Sequence, residues 1–195
     1  MIARSQRQCQ TDLRGRLPSR IADVTSTDVG HLEHKARAPK VVRVYVVTVS
    51  DSRTEATDTG GTLARELITR AGHEISGSRI VKDNPAEVGK LIAELAKGGA
   101  TDVIVTSGGT GISRRDSTYE AVAALLDKRL DGFGELFRML SFAEIGSAAM
   151  MSRAVAGLHR GVAVFALPGS PAAVRLALEK LILPELGHLV FEQER

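Results

Sequence analysis

Tryptophan is absent from this sequence of 195 residues, and aromatic side chains make up only 4% of it. Proteins that read unpaired bases stack them on aromatic rings, so this scarcity speaks against a nucleic-acid platform. Cysteine is almost absent too. Cys9 stands alone, which excludes an intramolecular disulfide and any CxxC zinc site. No apolar run approaches the roughly 20 residues of a membrane span, and the first residues lack the apolar core of a secretory signal. Charge of one sign is also lacking over most of the chain. The net charge is +3, yet residues 1–40 hold eight of the 26 basic side chains and only four of the 23 acidic ones. The remainder is therefore one charge negative and offers no basic face to a polyanion. A cytoplasmic protein with neither nucleic-acid nor membrane partners is the expectation.

Residues 1–40 show no sustained period of 3.6 or 2 and few large apolar groups, so they are expected to form a disordered basic extension bounded by Pro39. Asp12, Asp23 and Asp28 count against a transit peptide, which is poor in acids. Residues 41–195 are expected to form one domain. Val41–Ser50 (VVRVYVVTVS) is a β-branched run suited to a buried central strand. Gly60–Ala71 places Leu63, Leu67, Ile68 and Ala71 on one helical face, and Gly72 supplies the stop. His73–Lys82 reads as a second strand. Asn84-Pro85 then opens a helix that turns Val88, Leu91, Ile92 and Leu95 inward, closed by Gly98-Gly99.

Asp102–Thr106 is a third strand, and Ser117 or Thr118 caps a helix carrying Ala121, Val122, Leu125 and Leu126. Residues 132–153 read as short helices and turns, with Phe133 and Phe137 as a packing stripe and Met139, Met150 and Met151 as packing residues. His73, His159 and His188 show no metal-ligand spacing. Gly161–Leu167 is the last strand, before a final helix with Val174, Leu178, Leu181 and Ile182. The alternation predicts an α/β fold with a mostly parallel sheet covered on both faces and right-handed crossovers.

In such sheets ligands bind beyond the carboxyl ends of the strands. That rule selects three loops, Ser50–Gly61, Ser107–Asp116 and Pro168–Pro171. In the second, three glycines within four residues let backbone N–H groups turn toward one point, as an anion nest or as a tight strand-to-helix turn. The loop has no Gly-Lys-Ser/Thr of a phosphate-binding Walker loop and no GxGxxG spacing. Asp116 follows it. A carboxylate beside a phosphate nest is accommodated when a divalent cation lies between them; otherwise it caps the next helix. Asp83 ends the second strand on the same edge and is either a second acidic ligand or turn chemistry. Asp51 and Asp58 are open between ligand contact and turn.

Taken together, TVSDS (48–52), VKDN (81–84), TSGGTG (106–111) with RRDST (114–118), and LPGSP (167–171) resemble the MoaB/MogA family. Residues 131–157 resemble its MoaB branch, and the likeness runs in order through 41–191. GGLGPT and GGVS, the forms read in two related branches, do not fit Thr110 and the RRDST segment. One departure is Gly60, in Asp58-Thr59-Gly60-Gly61, where many MoaB proteins have serine. Another is Arg114-Arg115, which is similar to the MogA branch and adds positive charge.

The resemblance implies a three-layer α/β/α molybdopterin-binding fold and a homo-oligomer, trimeric or hexameric. It implies ATP-dependent transfer of AMP to the terminal phosphate of molybdopterin, with catalytic carboxylates at Asp83 and Asp116. Those two are expected to bind Mg²⁺ on the ATP. Ligand contacts are expected from Ser50, Asp58 and Gly61, from Thr106, Ser107, Gly108, Gly109, Thr110 and Gly111, and from Pro168, Gly169, Ser170 and Pro171. A non-catalytic molybdopterin carrier with the same pocket is the alternative.

Overall fold

A computed structural model describes residues 38–114 and 116–193. The expectations for the basic extension, Cys9 and Arg115 lie outside the described residues. The order is β1 (Arg43–Val49), α1 (Thr59–Arg70), β2 (Glu74–Val81), α2 (Pro85–Lys97), β3 (Val103–Ser107) and α3 (Thr118–Leu125). It continues with β4 (Lys128–Arg129), α4 (Asp131–Ile145), a 3-10 turn (Gly146–Met151), β5 (Val155–His159), β6 (Val162–Leu167) and α5 (Pro171–Ala177). A π-helical turn (Leu178–Ile182), a 3-10 turn (Leu183–Glu185) and α6 (Leu186–Gln193) follow.

The six strands lie in the order β2-β1-β3-β6-β5-β4. β2, β1, β3 and β6 are parallel, and β5 and β4 add an antiparallel edge. Strand residues alternate between faces, and β1 divides cleanly. Val44 and Val46 join the core beneath α1, α4 and α5, while Val47 and Val49 join the core beneath α2 and α3. Two cores flanking one sheet make the three layers, and they explain why β1 reads as an uninterrupted apolar run. Among the described residues no helix is long and apolar enough to cross a membrane.

Local chemistry sets the helix starts. Asn84 accepts hydrogen bonds from the N–H groups of Ala86 and Glu87, with Pro85 in the first turn. Asp58 accepts from Gly61 N at 2.9 Å. At α3 Ser117 occupies the expected cap position but makes no side-chain cap bond; its hydroxyl donates to Asp83. Ala71 lies past the end of α1 and is exposed, and Leu126 lies past the end of α3 in extended backbone.

Four corrections concern the second half. Residues 131–145 form one helix of 15 residues rather than short pieces. Its buried face is Phe133, Phe137 and Ser141, whereas Leu136, Met139, Phe142 and Ile145 are exposed. With apolar groups on both faces the helical period is blurred. Phe133 and Phe137 do pack together, with ring centroids 6.3 Å apart, but Met139, Met150 and Met151 are 60%, 80% and 50% exposed and do not fill the core. β4 and β5 escape a search for apolar runs because one has two residues and the other contains Gly157. The last helix is interrupted at 178–185, where Pro184 supplies no N–H.

His73 gives the fold a testable pH dependence. Its Nδ1 accepts from Val42 N at 3.3 Å, and burial lowers its pKa from the usual value. The unfolded chain protonates this ring near pH 6.5 while the folded one resists. Its contribution is therefore complete above about pH 6.5 and lost as pH falls through the lower folded value. The melting temperature should fall between pH 7.5 and 5.5, and fall less in His73→Asn. Equal falls in both proteins would remove His73 as a source of that dependence.

Candidate active site

Because β1, β3 and β6 are parallel and in register, Thr48, Ser107 and Leu167 lie side by side where the strands end. The loops that leave these ends enclose a cavity of about 580 Å³. The predicted residues Ser50, Ser107, Gly108, Gly109, Thr110, Gly111 and Asp116 line it, as do Pro168, Gly169, Ser170 and Pro171. Loop backbones meet closely here, and a Cβ built on Gly169 would sit 3.1 Å from the Gly108 Cα.

The glycine loop is built for close approach. Gly108 has φ +107°, and a Cβ there would stand 2.1 Å from the Val49 carbonyl oxygen. Gly109 has φ +63°, and its Cβ would meet both Asp83 carboxylate oxygens at 2.7 Å. Gly108 N donates to Leu167 O at 3.0 Å. Among the described residues, none accepts a hydrogen bond from the N–H of Gly109, Thr110 or Gly111. The Ser107 hydroxyl is likewise buried without a partner. Unpaired donors gathered at one wall are costly unless a ligand or water accepts from them, which suits an anion.

Asp116 lines the cavity, and its Oδ2 accepts from Ser113 N at 2.9 Å. Asp83 is not on the cavity wall. It lies against the far side of the glycine loop, where Ser117 and Thr118 donate to its Oδ1 at 3.3 and 3.4 Å. Asp51 Oδ1 accepts from Asp83 N at 3.2 Å and braces it. Both carboxylates therefore touch one loop, from two sides.

Three further predicted contacts also lie off the wall. Asp58 is 2% exposed, and its oxygens are taken by Thr48 Oγ1, Gly61 N and Arg53. It is a buried cap, and Gly61 leaves room for it, since a Cβ there would fall 2.1 Å from Asp58 Oδ2. Thr106 is fully buried within β3 and donates to Phe165 O at 3.3 Å. Arg114 is exposed and also off the wall.

The structure adds lining residues that sequence reading missed, notably Arg53, Met151, Ser152 and Arg153. Arg53 ties the first loop to the third by donating to Gly169 O at 3.1 Å. A Cβ at Gly60 would stand 3.1 Å from the Arg53 Nη1, so the residue replacing serine makes room for this guanidinium. The sequence signal for Arg53 was its place three residues past a strand end. Arg153 had none, because β5 went unseen.

A three-layer α/β protein with a glycine loop of unpaired donors at its parallel strand ends is the class that fold and cavity define. Residues 45–188 match the family described as "Probable molybdopterin binding domain". Molybdenum cofactor biosynthesis protein B of Bacillus cereus is 54% identical over 164 residues, covering 84% of this chain and 97% of its own. The protein of the same name from Bacillus subtilis is 50% identical over 161 residues, covering 82% and 95%. The crystal structure of tungsten cofactor synthesizing protein MoaB from Pyrococcus furiosus superposes with a TM-score of 0.73 at 42% identity, covering 81% of this chain and all of that one. The chain belongs to the MoaB/MogA family of molybdopterin-binding-fold proteins.

Proposed function

We propose that this chain acts in molybdenum cofactor biosynthesis as a molybdopterin adenylyltransferase. An oxygen of the pterin's terminal phosphate forms a bond to the α-phosphorus of ATP. The bond from that phosphorus to the bridging oxygen breaks, and pyrophosphate leaves with the electron pair. The observation that carries this reading is the wall of unpaired donors, the N–H groups of Gly109, Thr110 and Gly111 with the buried Ser107 hydroxyl, beside Asp116. Donors fixed in advance at phosphate oxygens supply most of the catalysis that phosphoryl-type transfer needs. Among the described residues the wall contains no histidine or cysteine, and the reading is direct transfer with no covalent enzyme intermediate.

Among the described residues no group of three or more His, Cys, Asp or Glu could hold a metal ion by itself. A magnesium ion that arrives with a nucleotide needs only one or two protein carboxylates, the rest of its shell being phosphate and water. The donor set fits that case at Asp116, which lines the cavity and would hold it, while Asp83 on the other side of the glycine loop would steady that loop through Ser117 and Thr118. When bound, the ion neutralises phosphate charge. Incubation with molybdopterin, Mg²⁺ and ATP labelled at the α-phosphate should move the label into the pterin. Bound pterin that stays unlabelled would overturn the transferase and leave a carrier.

The homo-oligomer implied by the resemblance has a candidate surface. Six of the eight exposed large apolar side chains among the described residues fall within 136–151, from Leu136 to Met151. Apolar groups concentrated in this way mark contact surfaces, and Met151 continues the face to the cavity wall. We propose that a second copy of the chain covers it. Met139→Glu with Phe142→Glu should shift the mass measured by light scattering to that of a single chain; a wild type already at that mass refutes the proposal.

A further inference from the structure

Arg153 lines the cavity, yet its guanidinium is committed elsewhere. Nε donates to the Thr110 carbonyl at 2.9 Å. Nη1 and Nη2 donate to the two Glu120 carboxylate oxygens at 2.5 and 3.1 Å, and the group lies 4.6 Å above the Tyr119 ring. One side chain, entering just before β5, thus grips the carbonyl of the glycine loop and the first turn of α3 together. Holding the Thr110 carbonyl also fixes where the Gly111 N–H points, since the two share one rigid peptide plane. The bond to Glu120 raises the Arg153 pKa and lowers that of Glu120, as expected of a bidentate pair.

We infer that Arg153 is a positioning residue: through Glu120, Tyr119 and the Thr110 carbonyl it sets the anion-binding geometry of residues 109–111, without itself contacting the anion. The inference deepens the proposed function and rests on its assignment of phosphate to this loop. It also gives Glu120, an exposed acid off the cavity wall, a part in ligand affinity.

The sign of the Glu120 effect separates positioning from direct contact. If Arg153 bound the phosphate, Glu120 would compete for the guanidinium, and Glu120→Ala would strengthen binding. If Arg153 positions the loop, Glu120→Ala weakens it. Tripolyphosphate is the probe, titrated calorimetrically into the wild type, Glu120→Ala, Arg153→Met and Arg153→Lys. We expect Arg153→Met to bind about tenfold more weakly, the factor one charge-assisted hydrogen bond carries. Glu120→Ala should shift the same way by a smaller factor, and Arg153→Lys should fail to rescue, because a lysine cannot hold carbonyl and carboxylate at once.

The melting temperature should hardly move in Glu120→Ala, where the acid is 59% exposed, and fall modestly in Arg153→Met, where the side chain is 28% exposed. Stronger or unchanged binding in Glu120→Ala overturns the inference. If the wild type binds no tripolyphosphate, the phosphate assignment fails, and amide hydrogen exchange over 107–114 still decides the clamp. Faster exchange there in Arg153→Met supports it, and identical exchange overturns it.

Discussion

Asp116→Ala should lower turnover by on the order of a hundredfold or more while leaving the melting temperature nearly unchanged. The reason lies in how little else the carboxylate does. Among the described residues its side chain accepts one hydrogen bond, from Ser113 N, and it stands half-buried on the cavity wall. Losing it costs little packing but removes negative charge where the proposed reaction places a cation beside phosphate, and single groups of that kind are worth about a hundredfold or more in rate. Asp83→Ala should be comparably slow but less stable, since Ser117 and Thr118 then lose their acceptor. Asp83→Asn keeps an oxygen for those hydroxyls and should recover stability without turnover. Near-normal turnover in both alanine variants would remove the carboxylates from the mechanism.

Gly108→Ala should destabilise the fold itself. The residue has φ +107°, where a Cβ is strained, and the added carbon would lie 2.1 Å from the Val49 carbonyl oxygen. That oxygen belongs to the backbone of β1, which is hydrogen-bonded to strands on both sides, so it cannot swing away as a side chain could. Backbone strain and overpacking together should cost about 3 kcal/mol or more. For a chain of this size the melting temperature then falls by roughly 6–12 °C. A loss of only a degree or two would mean that the loop relaxes freely, and the close contact between β1 and the glycine loop would not be a constraint.

How far the sequence discloses this protein depends on how local each signal is. The β1 run and the Asn84-Pro85 start are decided by neighbouring residues, and they stand within a residue or two of where reading placed them. The three loops at the strand ends were legible because the topology of a parallel sheet dictates where they meet. Asp58 misleads for a physical reason: an acid after a strand serves equally well as ligand or buried cap, and only its contacts with Thr48, Gly61 and Arg53 decide. Helix α4 was blurred by apolar side chains on its exposed face. Arg153 could not be found at all, since it acts on Thr110 across 43 residues of chain through an element too short and glycine-broken to be recognised.

The decisive experiment is to follow pyrophosphate and adenylylated pterin together, in wild-type protein supplied with ATP, Mg²⁺ and molybdopterin. Equal amounts of the two products, absent when pterin is omitted and nearly abolished in Asp116→Ala, are the expected result. Tight pterin binding with no pyrophosphate, or pyrophosphate released without pterin, would contradict an adenylyl transfer at this cavity.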